Sequence, residues 1–171
     1  MALLPCRECN REVSNEALSC PHCGAPWPTT REWKGSGFEW VSQTRVFGIP
    51  LVHVAFGRNK NGKRRVAKGI VAIGQFAVGL VTVAQFGIGI LFGFGQFVVG
   101  LIVLAQFAGA LAVGVGQFAT GIFAAGQFVV GIYGLCQVGW AKYLWSQKHV
   151  DMEAVAMFYT IHMKVRQFLG I

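Results

Sequence analysis

Four of the five cysteines form two Cys-x-x-Cys pairs near the N-terminus, Cys6 with Cys9 and Cys20 with Cys23. Two such pairs bring together four thiolates that can bind Zn²⁺ in a tetrahedron, with Zn–S distances of about 2.3 Å. Because four cysteine ligands leave no open coordination position, we expect a structural zinc ion and not a catalytic one. A segment this small has too little core to fold alone, so we expect residues 1–27 to be unfolded without the metal.

The segment that contains these pairs, CRECNREVSNEALSCPHCGAPW, closely resembles the small N-terminal zinc ribbons of many bacterial membrane-associated and regulatory proteins. The resemblance implies a module that contacts other proteins, but it assigns no partner. His22 lies between the last two cysteines and is expected to be a surface residue. The N-terminus, MALLPCREC, has no secretory apolar region, and paired thiols without an export signal suit a reducing compartment. We therefore expect the ribbon to lie in the cytosol.

The composition disfavours an enzyme. The chain has seven acidic residues, all outside residues 69–141, and its histidines are isolated in sequence. No Ser-His-Asp set, phosphate-binding loop or carboxylate pair can be assembled from them. Hydrophobic residues make up 54% of the chain and charged residues 13%, which also excludes a disordered chain. We expect a protein without catalytic residues.

Residues 69–141 contain a short repeat in which a glutamine returns every ten or eleven positions. The residue before each glutamine is small, and the residue after it is Phe in the first six units. The seven glutamines are Gln75, Gln85, Gln96, Gln106, Gln117, Gln127 and Gln137.

The repeat favours β-structure. Small and large residues alternate over short stretches, and the alternation slips by one residue at each glutamine, which indicates a bend or bulge. We expect a hydrophobic β-solenoid in which two units form one coil of about 21 residues. Alternate glutamines would then stack in two ladders of amide hydrogen bonds. A small transmembrane β-barrel is the alternative. Helices are disfavoured because the segment contains 16 glycines and no polar turns.

Both alternating sets of this repeat are apolar, and residues 69–141 contain no charged side chain. A soluble solenoid would present one polar set to water, so the outer wall is expected to contact lipid or other copies of the chain. The repeat resembles those of uncharacterised bacterial proteins with glycine-rich apolar solenoids, a resemblance that implies no activity. We expect a membrane location and a homo-oligomer.

Other segments flank the repeat. Residues 28–44 are interpreted as a linker, and residues 45–68 as a basic β-hairpin with its turn at Asn61-Gly62. Residues 142–171 are interpreted as an amphipathic helix that packs on the repeat. Its apolar stripe consists of Val150, Ala154, Met157, Phe158, Ile161, Val165 and Phe168.

The hairpin contains the one dense basic cluster of a chain whose formal net charge is +8. Because they precede a segment that is apolar enough to lie in a membrane, these cations are expected to contact anionic lipid headgroups. A solvated hairpin tip and a nucleic-acid contact are the alternatives, and the second lacks a recognition helix. The cluster consists of Arg58, Lys60, Lys63, Arg64, Arg65 and Lys68.

These patterns predict a non-enzymatic scaffold or anchor, embedded in or associated with a membrane, with a cytosolic zinc ribbon for protein contacts. By the resemblance, the membrane is the inner (cytoplasmic) membrane of a bacterium, with the cytoplasm as the alternative location. An oligomeric pore and a soluble self-assembling scaffold are alternative functions. A nucleic-acid-binding ribbon protein is the least favoured.

Overall fold

The computed structural model describes residues 2–29 and 35–170. These residues are mainly β, with one C-terminal helix, and the chain divides into two compact units. The described residues up to Gly37 form the first unit together with Gly57–Arg64, and Phe38–Phe56 and the chain from Arg65 onward form the second. No helix in the described ranges combines the length and the apolar character needed to cross a membrane. The elements are β1 (Leu3–Pro5), β2 (Glu12–Ser14), β3 (Glu39–Val41), β4 (Arg45–Val46), β5 (Ile49–Pro50), β6 (Val52–Ala55), β7 (Val66–Ser146) and α1 (Met152–Leu169).

The first unit contains the antiparallel pair β1–β2, in which Leu4 lies opposite Val13. It also contains the predicted turn at Asn61-Gly62, which is confirmed. The side-chain oxygen of Asn59 accepts hydrogen bonds from the backbone N–H groups of Asn61 and Lys63, each at 3.0 Å. Gly62 has a φ of 73°, which a glycine adopts without strain.

The strands that flank this turn do not form the predicted hairpin. β6 pairs with the start of β7 in parallel, with Val52 opposite Val71. The tight hairpin of this segment lies earlier, between β4 and β5, where Phe47 and Gly48 both have positive φ (51° and 78°). Both central residues of a type I′ turn need such angles, and a phenylalanine gives no sequence signal for one.

β3 pairs antiparallel with β6, so Glu39–Val41 belong to a sheet and not to the predicted linker. The three strands lie in the order β3, β6, β7. Residues 30–34 of the predicted linker lie outside the described residues.

Successive units of the repeat contact each other along β7. The phenylalanines that follow the glutamines form a row in which neighbouring ring centroids are 4.4–6.1 Å apart. This is close to the spacing of paired strands, about 4.8 Å, whereas opposite walls of a two-unit coil would lie about 10 Å apart. The predicted coil of two units is therefore wrong, because each unit stacks directly on the one before it. The row consists of Phe76, Phe86, Phe97, Phe107, Phe118 and Phe128.

The interior of β7 is built from small residues that recur every five positions, with two intervals of six. These positions are buried, apart from the half-buried Gly87, and the largest residue among them is valine. The one hydroxyl among them, Thr82 Oγ1, donates to the carbonyl of Ile88 at 2.9 Å. We call this set the inner row: Ala67, Ala72, Ala77, Thr82, Gly87, Gly93, Val98, Val103, Ala108, Gly114, Ala119, Ala124, Val129 and Gly134.

The outer surface of β7 has the large residues. A column half a unit away from the phenylalanines is exposed along its length, from 37% at Leu80 to 73% at Leu111. Small residues inside and large apolar residues outside reverse the usual arrangement of a water-soluble domain. We call this set the aliphatic column: Leu80, Ile90, Leu101, Leu111, Ile122 and Ile132.

The strand β7 continues to Ser146, so the helix begins ten residues later than expected from the interpretation of residues 142–171. The Asp151 side chain caps its N-terminus by accepting from the N–H of Glu153 at 2.9 Å, and Gly170 ends it with a φ of 70°. Of the helix residues, all of them described, Ala154 alone is buried. The helix contacts β7, and the expected packing holds at Ala154, whereas Val150 and Phe168 at the two ends of the stripe are exposed at 56% and 89%.

Candidate metal centre and repeat surface

The fold of the first unit brings the four predicted cysteines together. Their sulfur atoms all lie within 4.8 Å of one another, with Cys6 Sγ 3.8 Å from Cys23 Sγ and Cys9 Sγ 3.7 Å from Cys20 Sγ. A tetrahedral ion with bonds of about 2.3 Å places its sulfur ligands about 3.8 Å apart. The cluster therefore fits a closed, four-coordinate metal site.

Two similar turns position the sulfur atoms. The carbonyl of Cys6 accepts from the N–H of Asn10 at 2.9 Å, and the carbonyl of Cys20 accepts from the N–H of Gly24 at 2.8 Å. Asn10 and Gly24 both have positive φ, 60° and 74°. Asparagine and glycine are the residues that adopt this conformation most readily, so the residue after each Cys-x-x-Cys pair helps to form the site.

The protonation of the sulfur atoms is uneven. The backbone N–H groups of Cys9 and Glu8 stabilise the thiolate of Cys6 and lower its pKa to about 7. At Cys23, the N–H of Ala25 favours the thiolate, but desolvation and the three neighbouring sulfur atoms outweigh it and raise the pKa to about 12. Four thiolates at this separation repel one another, so a divalent cation is the natural compensating charge.

His22 lies outside the sulfur cluster. It is exposed, and its Nδ1 lies 3.3 Å from a guanidinium nitrogen of Arg11. This agrees with its interpretation as a surface residue.

The residues of the predicted basic cluster differ in their contacts and exposure. Within the second unit, the guanidinium of Arg65 forms an ion pair with Glu39, and the other carboxylate oxygen lies 3.4 Å from Nε2 of His53. Nδ1 of His53 accepts from the N–H of Lys68 at 2.9 Å. Arg65 is therefore engaged within its own unit. The side chains of Arg58, Lys60, Lys63, Arg64 and Lys68 are exposed.

The glutamines lie in one row and not in the two predicted ladders. Gln96, Gln106, Gln117 and Gln127 line a groove of about 430 Å³ with the phenylalanines of the same units. From Gln85 onward they are exposed. Between these side chains, over the described ranges, no amide–amide hydrogen bond is found, so the predicted ladder of amide bonds is not formed within one copy.

The inner row was not among the sequence predictions, which rested on the large residues and the glutamines. The signal was present, because small residues recur every five positions from Ala67 onward. Small residues have little hydrophobic contrast, so their period is hidden by the larger residues beside them.

Comparison with protein-family models, curated proteins and solved structures finds no significant match to this chain.

Proposed function

We propose that this chain is a non-enzymatic, membrane-embedded scaffold or anchor whose N-terminal ribbon binds structural zinc and contacts other proteins. The observation that supports the proposal best is the reversed arrangement of β7, with alanine, glycine and valine inside and large apolar side chains outside. Such a wall, free of charge from residue 69 to residue 141, needs an apolar environment.

We further propose that β7 is a narrow β-solenoid with one repeat unit per coil. The stacked phenylalanine rings support this, and so does the bond from Thr120 Oγ1 to the carbonyl of Ala110, one unit earlier, at 3.1 Å. A Cβ placed on Gly116 would overlap the carbonyl of Ala105, which indicates close backbone approach between neighbouring units. Coils paired in this way supply hydrogen-bond partners for each other's backbone N–H and C=O groups without water, as the interior of a bilayer requires.

Zinc is the proposed metal because four thiolates in a tetrahedron suit Zn²⁺, for which the ribbon would supply a purely structural site. An iron ion is the competing occupant of four sulfur ligands. Metal analysis of the purified chain distinguishes them: we expect one zinc per chain. One iron per chain would contradict the assignment of zinc but would still support a metal site at the four cysteines.

We also propose that copies of the chain associate through the surface that the exposed glutamines form on β7. Polar side chains inside a membrane contact other protein segments, where their amides find partners. The row from Gln85 to Gln127 would supply such contacts between two copies. A soluble self-assembling scaffold that hides its apolar walls between copies is the second candidate, and the exposed aliphatic column supports it as well.

Membrane fractionation tests the proposal. We expect the chain to remain in the pellet after high salt and after alkaline carbonate, and to be released by detergent. A matched variant, K60Q with K63Q and R64Q, removes exposed charge and should remain in the pellet too. Release by salt would show that the basic residues alone hold the protein at the surface. Recovery as a large particle without detergent would favour the soluble scaffold.

A further inference from the structure

We infer that β7 crosses the bilayer along its own axis, one coil after another, so that its two ends lie at opposite membrane surfaces. This inference rests on the proposed function and adds an orientation to it. The alternative is a solenoid that lies flat, with one wall in lipid and the other in water.

The length of the charge-free segment matches a bilayer. Residues 69–141 contain seven units, and neighbouring rings of the phenylalanine row are 4.4–6.1 Å apart. At the usual strand spacing, seven units extend for about 34 Å. The hydrocarbon core of a bilayer is about 30 Å thick. The apolar segment is therefore long enough to span it, with the ends at the headgroups.

Both ends of the segment have residue types that are common at membrane surfaces. At the C-terminal end, Trp140 is 72% exposed, Lys142 lies over the ring of Tyr143 at 5.1 Å, and Lys148 follows. At the N-terminal end, Lys68 is exposed and follows the basic residues of the turn in the sequence. Tryptophan and tyrosine are enriched at membrane interfaces, and lysine pairs with anionic headgroups.

The end coils are covered by other chain segments, as a spanning solenoid requires. β6 pairs with the first unit of the repeat through Val52–Ala55. At the other end, the N–H of Ser146 donates to the carbonyl of His149 at 2.7 Å, and the N–H of Asp151 donates to the carbonyl of Leu144 at 2.9 Å. These backbone groups thus have partners at both edges of the apolar segment.

A flat orientation would expose one apolar wall to water. The phenylalanine row and the aliphatic column are half a unit apart in the sequence, and both contain exposed residues. Phe97 is exposed at 43% and Ile90 at 57%. An axial orientation keeps both out of water, in hydrocarbon or against another copy of the chain, whereas a flat one leaves one of them hydrated.

Labelling from one side of a sealed membrane tests the orientation. The full chain, with zinc present, is tested as two variants, N61C before the repeat and Q147C after it; both positions are exposed. A membrane-impermeant maleimide is added outside vesicles of uniform orientation, and peptide mapping locates the label apart from the native cysteines. We expect one variant to be labelled at least tenfold more than the other, with the difference abolished by detergent.

Polarised infrared spectroscopy of the unsubstituted chain in aligned bilayers provides an independent readout. In a solenoid the carbonyl groups point along the axis, so an axial orientation gives an amide I dipole along the membrane normal. A flat orientation gives a dipole in the membrane plane.

The outcomes separate the two proposals. Equal labelling of both variants with an in-plane dipole, in a protein that carbonate does not release, would overturn the axial orientation while the membrane anchor stands. Absence of the chain from membranes would overturn both. Labelling from opposite sides with a dipole along the normal would support both.

Discussion

Replacing Ala108 by leucine should destabilise the chain, although alanine-to-leucine changes inside a core are often assumed to add hydrophobic stabilisation. The side chain of Ala108 is fully buried in a cluster with Val98 and Val103. Three added carbon groups would contribute about 2.4 kcal/mol of burial if space existed. Because the neighbouring side chains enclose Ala108 completely, strain should dominate, with a net loss of about 2 kcal/mol. The midpoint of thermal unfolding should fall by about 4–8 °C.

The matched control replaces Leu111, three residues after Ala108, by alanine. Leu111 is 73% exposed, so its truncation to alanine removes about a quarter of the same burial, about 0.6 kcal/mol, and leaves no enclosed cavity. We expect a fall of about 1–2 °C. Circular dichroism of the β signal in one detergent, at one heating rate, measures both variants. A midpoint for A108L equal to or above that of the unsubstituted chain would refute the small-inside arrangement. A fall for L111A as large as that for A108L would refute it too.

Three other perturbations test separate parts of the structure. Chelation of the metal should unfold residues 2–29 while the β signal of the repeat persists, and C6S should reproduce this, as trypsin cleavage within the ribbon would report. Gly116→Ala should lower the unfolding midpoint more than typical surface changes, because its Cβ would overlap the carbonyl of Ala105. Asp151→Ala should cost α1 about 1 kcal/mol by removing its N-terminal cap, measured as lost helical signal in far-ultraviolet circular dichroism.

Each of these predictions has a control within the chain. C136A leaves the sulfur cluster intact and should retain the metal; equal metal loss would contradict the ribbon site. Gly109→Ala meets the side chain of Val99 at 3.1 Å, which can move, so it should be milder than G116A. Gln147→Ala changes an exposed residue before the cap and should leave the helical signal unchanged. A loss equal to that of D151A would show that the cap does not stabilise α1.

The metal site could be predicted almost fully from the sequence, because its ligands lie in two local turns. A Cys-x-x-Cys spacing brings two sulfur atoms together within one turn. The two turns are then held together by contacts such as the hydrogen bond from the N–H of Arg7 to the carbonyl of Pro28 at 2.8 Å. The uneven pKa values of Cys6 and Cys23 could not be predicted, because the first depends on which backbone N–H groups face the sulfur atom and the second on desolvation and the neighbouring sulfur atoms.

The β-character of the repeat and the apolar nature of its wall also followed from the sequence, through the fixed period and the absence of charge. The period does not reveal whether a coil consists of one unit or two, since both place identical residues in register. Contacts between successive phenylalanine rings, such as Phe97 with Phe107 at 4.4 Å, show that neighbouring units stack on one another, which excludes the coil of two units. The parallel pairing of β6 with β7 was likewise hidden, because the Asn61-Gly62 turn is equally compatible with an antiparallel hairpin.

Local features of the chain could be read without its fold: the metal ligands, the repeat and the sharp turn at Asn61-Gly62. Which residues face inward could not be read in this way, because it depends on packing between neighbouring units and not on any single motif. Large apolar side chains would normally be assigned to a core, but the inner row of β7 holds no residue larger than valine. Steric exclusion therefore places alanine, glycine and valine inside and moves phenylalanine, leucine and isoleucine to the outer wall.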